Sequence, residues 1–184
     1  MAATTRREQR DRTRTHLLET TVDCLVELGY AGTSTQRIQE RAGVSRGALL
    51  HHFPSKAELL AAAVEYVARL QLDEIRAAAP DTAQGRLAAV RAAMSGPAFQ
   101  AALELWMASR TDPALREALL PSQREIGHAV QSLLAPDFAS QSPAEARVSL
   151  ESLLMLLRGL ALTSTLRDDP ELADAVLARW SSAQ

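Results

Sequence analysis

Residues 35–53 read TQRIQERAGVSRGALLHHF, two short apolar clusters on either side of a glycine. Ile38 and Ala42 are four apart, as are Leu49 and Phe53. Each pair therefore falls on one face of a helix that is too short to stand alone. With Val44 in the turn after Ala42-Gly43, helices over residues 35–41 and 45–52 can close on one small core, which is a helix-turn-helix. With those residues inward, Arg46 and Leu50 fall on one outward face, Gly47 and His51 on the adjacent face, and Ala48 and His52 toward a flank. Gly47 lowers helix stability by about 1 kcal/mol relative to alanine. A residue without Cβ also lets the backbone come close to a base edge or a phosphate. Arg46 at the helix start can pair its fork with O6 and N7 of guanine in a major groove, the alternative being a solvated surface arginine.

Outward from this stretch the punctuation stays helical, and no segment alternates apolar and polar residues between turn residues as a half-buried strand does. The pattern predicts an all-α chain of about nine helices. The first covers residues 4–28 or 7–28, with Leu17, Leu18, Val22, Leu25, Val26 and Leu28 on one broad face and Gly29 as its stop. Ser55 and Glu58 have capping-box spacing and open a long helix to about residue 79. Further helices are expected over residues 83–94, 97–110 and 113–135, the last with Asp112 as cap and a kink at Pro121. Ser142-Pro143-Ala144-Glu145 opens a strong helix over residues 143–167, and Asp169-Pro170 opens the final one to about residue 180.

The 184 residues are 47% apolar and 23% charged, ordinary globular usage. The single cysteine, Cys24, closes no internal disulfide, the start has no apolar signal core, and the longest apolar run is far too short to span a bilayer. A cytoplasmic protein without a membrane segment is expected. The net charge of −2 hides an asymmetry. Residues 1–56 carry nine Arg/Lys against six Asp/Glu, while residues 57–184 carry eleven against sixteen. A basic module for a polyanion joined to an acidic body fits that split.

Gly29-Tyr30, Thr33-Ser34-Thr35, Ile38, Ala42-Gly43-Val44-Ser45-Arg46-Gly47, Leu49, His52-Phe53, Ser55-Lys56 and Glu58-Leu59 resemble, in order and spacing, the N-terminal domain of tetracycline-repressor-like (TetR family) regulators. The resemblance implies an N-terminal three-helix DNA-binding domain, residues 1–56, and a C-terminal helical ligand-binding and dimerisation domain, residues 57–184. It implies a homodimeric transcription factor, usually a repressor, that leaves a palindromic operator in double-stranded DNA when a small molecule binds. It places Thr35 on a phosphate and Gln36 on a base, although Thr33 and Gln36 also have capping-box spacing. Arg46 and Gly47 fall where the family reads bases, His51 where it touches base or backbone, and His52 and Lys56 where it touches phosphate. Leu50 stands where an aromatic, often tyrosine, is usual. It loses a hydroxyl contact to phosphate and keeps the option of a thymine methyl. Arg6, Arg7, Arg10, Arg12 and Arg14 form an arm that can add minor-groove or phosphate contacts, or remain a solvated tail.

The acidic body holds no catalytic motif. Glu104 and His128 are isolated, so an enzyme is not expected, and no metal or cofactor is predicted. Met94, Phe99, Leu103, Trp106, Met107, Arg110, His128 and Gln131 are candidates for lining a cavity for an apolar effector, or ordinary core and surface. The segment 152–162 is apolar nearly all round. Such a segment is either a central helix buried within one subunit or part of an intermolecular bundle; a dimer interface is expected there and on the last helix, through Leu153, Leu156, Leu157, Leu160, Val176 and Trp180. A ligand-independent DNA-binding regulator and a helical-bundle enzyme are the alternatives.

Overall fold

The computed structural model describes residues 2–78, 81–167 and 169–182, with side chains from residue 5 onward. Among them are nine α-helices and no strand: α1 (Ala2–Gly32), α2 (Thr35–Ala42), α3 (Arg46–His52), α4 (Lys56–Ala78), α5 (Ala83–Ala93), α6 (Pro97–Ala108), α7 (Pro113–Leu134), α8 (Pro143–Thr163) and α9 (Pro170–Ser181). A 3₁₀ turn, Ala135–Phe138, follows α7. The expected end of α4 at residue 79 lies outside the described residues. α7 continues through Pro121. α8 stops at Thr163, four residues short of expectation, where Ser164 and Thr165 turn their hydroxyls back onto the carbonyls of Ala161 and Leu162. Those bonds satisfy the carbonyls that a further turn would have used.

The chain forms two compact units, one comprising the stretch up to Leu70 with Pro97–Ile126, the other Gln71–Gly96 with the stretch from Gly127. In the first, Leu17, Leu18, Ile38, Ala42, Leu49, Phe53 and Leu59 are buried together, with Val44 against them. The helix-turn-helix thus closes on α1 and the start of α4. A second cluster joins Leu25 of α1 and Leu60 and Val64 of α4 to Ala101 and Leu105 of α6 and Leu115 and Leu119 of α7. In the other unit Val90, Leu134, Phe138, Leu150, Leu153, Leu154, Leu157 and Leu177 form the core. The largely buried Arg86–Asp137 ion pair lies in that unit, with Arg86 Nε 3.0 and 3.2 Å from the two carboxylate oxygens.

Gly29 breaks α1 where the sequence placed its stop, at φ 64° and ψ −179°, and a last turn of helix follows to Gly32. A Cβ there would stand 2.9 Å from a carboxylate oxygen of Glu104. Gly29→Ala meets both a left-handed φ and that contact, so it is expected to lower stability by at least about 1 kcal/mol, read as an earlier urea midpoint with an unchanged slope.

Candidate nucleic-acid interface

Local chemistry sets the reading head. Ser34 caps α2 by accepting the Arg37 N–H at 3.2 Å, and Ser45 caps α3 by accepting that of Ala48 at 3.2 Å. Between them Gly43, at φ 65°, lets its own N–H reach the Glu40 carbonyl and that of Val44 reach Gln39, closing the end of α2 and turning the chain. Arg41 holds the far face of α2 to α1 through a two-pronged bridge to Glu27, at 2.5 and 2.6 Å. That pairing keeps the Glu27 carboxyl below the usual range. The bridge is solvent-exposed, so it fixes orientation more than it adds stability.

α3 buries Leu49 and leaves Arg46, Gly47, Leu50 and His51 exposed as one surface, with Ala48 and His52 half-buried at its flank. A Cβ on Gly47 would meet nothing within 4 Å, and its φ needs no glycine. Nothing inside the chain accounts for the choice of this helix-weakening residue. The His51 and His52 rings meet edge to face at 5.6 Å. Burial first, then His51, Arg10 and Arg14, hold the His52 imidazole below its ordinary range. On α2, Thr35 is half-buried and Gln36 exposed. Thr33 and Gln36 do not form the capping box their spacing allows. Thr33 donates to the Gly29 carbonyl at 2.7 Å, Ser34 takes the cap, and Gln36 donates along the helix to Glu40 at 2.9 Å.

Lys56 opens α4 beside Ser55, whose hydroxyl accepts the Glu58 N–H at 3.1 Å. Its ammonium lies 4.7 Å from the centre of the Tyr30 ring, a cation–π contact that the sequence did not reveal. Burial pulls this ammonium below the usual lysine range and Asp112 opposes that pull. Tyr30 is itself held at two points. Its hydroxyl donates to Asp112 Oδ2 at 3.3 Å, and its backbone N–H donates to Glu104 Oε2 at 2.7 Å. Glu104 of α6 and Asp112, which also caps α7 through the Leu115 N–H, thus brace the residue on which Lys56 rests. In the sequence Asp112 stands out only as a cap and Glu104 as an isolated acid. The single available clue was the Gly29-Tyr30 break.

The eight pocket candidates fall in different places. Phe99, Leu103, Trp106, Met107 and Arg110 belong to the first unit, and Met94, His128 and Gln131 to the second. Phe99 and Trp106 meet edge to face at 6.2 Å, whereas Met107, Arg110, His128 and Gln131 face solvent rather than an enclosed space. The second unit carries an open cleft of 810 Å³ walled by Leu87, Leu134, Phe138, Leu177 and Trp180, and none of the eight lines it. Of the interface candidates, Leu153 and Leu157 are buried in the core of their own chain, and Leu156, Leu160 and Trp180 pack partly against it. α8 instead exposes Val148, Met155 and Leu162, at seven-residue spacing and 69%, 64% and 55% accessible. These three do not stand out in the sequence because the whole segment is apolar and its inward and outward sides look alike.

Residues 17–63 match the family described as bacterial regulatory proteins, tetR family. The HTH-type transcriptional regulator BetI of Burkholderia mallei is 33% identical over 167 residues, covering 85% of this chain and 84% of that protein. The chain belongs to the tetR family. It is a helix-turn-helix DNA-binding transcriptional regulator and not an enzyme. Among solved structures, a TetR transcription regulator from Haloarcula marismortui superposes with a TM-score of 0.73 at 20% identity, over 95% of this chain and 98% of that one, a likeness of fold. The multidrug binding protein EbrR complexed with ethidium gives 0.66 at 26% identity, over 91% and 97%. Among the described residues of this tetR-family chain no helix is long and apolar enough to cross a membrane.

Proposed function

We propose that this tetR-family regulator is a cytoplasmic homodimeric repressor that holds a palindromic operator and leaves it when a small, largely apolar molecule binds. The reading module is residues 1–56 and the body residues 57–184. The observation that carries this is the exposed surface of Arg46, Gly47, Leu50 and His51 on α3, where a glycine without internal purpose sits beside an arginine at the helix start. Arg46 reads guanine, Gly47 admits the backbone of the DNA, and Leu50 and His51 border the same bases. Gln36 adds a base contact by exchanging Glu40 for the base, and Thr35, His52 and Lys56 hold phosphates. The exposed line Val148, Met155 and Leu162 on α8 supplies an apolar face for a second copy. The likeness to a protein crystallised with ethidium supports an aromatic ligand. α4, which begins at Lys56, is the element that links such a ligand to the DNA.

Selection from random duplexes tests the reading. Recovered sequences are expected to be inverted repeats with half-sites about 34 Å apart or a small multiple of that; recovery of single half-sites, or no enrichment, refutes it. Non-intercalating aromatic compounds that bind the protein are expected to weaken its hold on the selected duplex, and binding that leaves this affinity unchanged counts against release. Lys56→Ala is expected to weaken binding to all duplexes alike and to reduce the slope of log K against log salt by about 0.9. A change confined to one sequence would place Lys56 on a base instead.

A further inference from the structure

α1 is helical from Ala2, yet among its described side chains, from residue 5 onward, the first that is buried is Leu17. Residues 5–14 are exposed apart from the half-buried Thr13. These ten residues, about 15 Å of helix, have no core of their own. They carry five arginines against Glu8 and Asp11, and the first turn holds no acidic residue. Positive charge at a helix N-terminus opposes the helix dipole, so this composition works against the helix unless an anion lies nearby. Two of the arginines are committed along the helix, Arg7 to Asp11 at 4.0 Å and Arg12 to Gln9 at 2.9 Å. Arg6, Arg10 and Arg14 share a face at four-residue spacing. Arg14 is anchored at the end of the reading helix. It donates to the His52 carbonyl at 3.4 Å, and its guanidinium lies 4.4 Å from the centre of the Phe53 ring. The ridge therefore starts beside the C-terminal end of α3, with Arg10 about 6 Å and Arg6 about 12 Å further along the α1 axis toward its start.

We propose that this extension is a helical arm that grips the phosphates of duplex DNA flanking the reading surface through Arg6 and Arg10, with Arg14 fixing its direction. The occupant follows from charge and continuity. The ridge is cationic, it begins beside the end of α3, and its step of about 6 Å is close to two phosphate steps of about 3.4 Å measured along the duplex axis. Arginines on an unpacked helix select no base, so the contact is blind to sequence. The inference adds a second contact zone to the proposed reading by α3, and its test separates the two.

Mixed-sequence duplex is the probe, since no operator is needed for a phosphate contact. With the full chain, Arg6→Ala/Arg10→Ala is expected to make the dependence of log K on log salt shallower by about 1.8 per bound chain. Arg7→Ala, whose side chain is engaged by Asp11, is expected to change it by much less. Both variants replace exposed arginine by a better helix former, so circular dichroism should show the fold intact. Amide exchange over residues 5–14 is expected to slow when DNA is added. An unchanged slope in the double variant, with Lys56→Ala still reducing it, overturns the arm and leaves the α3 reading standing. If Arg7→Ala matches the loss per charge, the effect is one of net charge and the ridge is overturned. No change in any of the three variants overturns both assignments.

Discussion

Arg46→Ala is expected to bind the selected operator about 5- to 150-fold more weakly per half-site, the equivalent of about 1–3 kcal/mol, and to lose preference at one base position. Its affinity for mixed-sequence duplex should change far less. The reason is positional. Ser45 caps α3, so the next residue leaves the helix at its first turn, where the N-terminal residues of a recognition helix meet base edges. Among the described residues the Arg46 side chain forms no hydrogen bond or ion pair, so no internal contact must break before it reads a base. Arg46→Lys is the sharper control. An ammonium keeps the charge but lacks the planar fork, so phosphate-driven binding should survive while discrimination falls nearly as far as in the alanine variant. Equal losses on operator and mixed duplex in both variants would make Arg46 a phosphate contact and move base reading elsewhere on α3.

The reading head was legible in the sequence because its determinants are local. Ile38, Ala42, Val44, Leu49 and Phe53 lie within sixteen residues, and Gly43 and the capping Ser45 announce their turn by type alone. What braces it was not legible. Tyr30 meets Glu104 and Asp112 across 74 and 82 residues; locally Asp112 shows only as a helix cap, and Glu104 does not differ in pattern from a solvated surface acid. The same limit governs α8. Alternation tells an inward from an outward face only when the outward face is polar. Val148, Met155 and Leu162 are apolar on the exposed side while Leu153 and Leu157 are apolar on the buried one. Leu153 and Leu157 were natural interface choices from hydrophobicity, yet their side chains are already used within one subunit.

That distinction makes the oligomer testable with two variants of opposite signature. Val148→Glu/Met155→Glu places charge on positions that are 69% and 64% exposed in one chain, so it should leave subunit folding nearly unchanged. In a homodimer built on α8 the same charges become buried and unpaired opposite their own copies, which ordinary interfaces do not tolerate. The variant is expected to sediment as a monomer. Its operator affinity should fall by about 100- to 10,000-fold, because the second half-site is no longer presented at high effective concentration. Leu153→Ala should do the reverse. Removing a side chain that is 2% exposed within its own core is expected to destabilise the subunit by about 2–5 kcal/mol while the folded protein still associates. If the glutamate variant remains dimeric and keeps its operator, the exposed line on α8 is not the interface. If Leu153→Ala dissociates the protein without destabilising it, the core assignment of α8 is inverted. The two results together decide which side of one apolar helix faces the second copy.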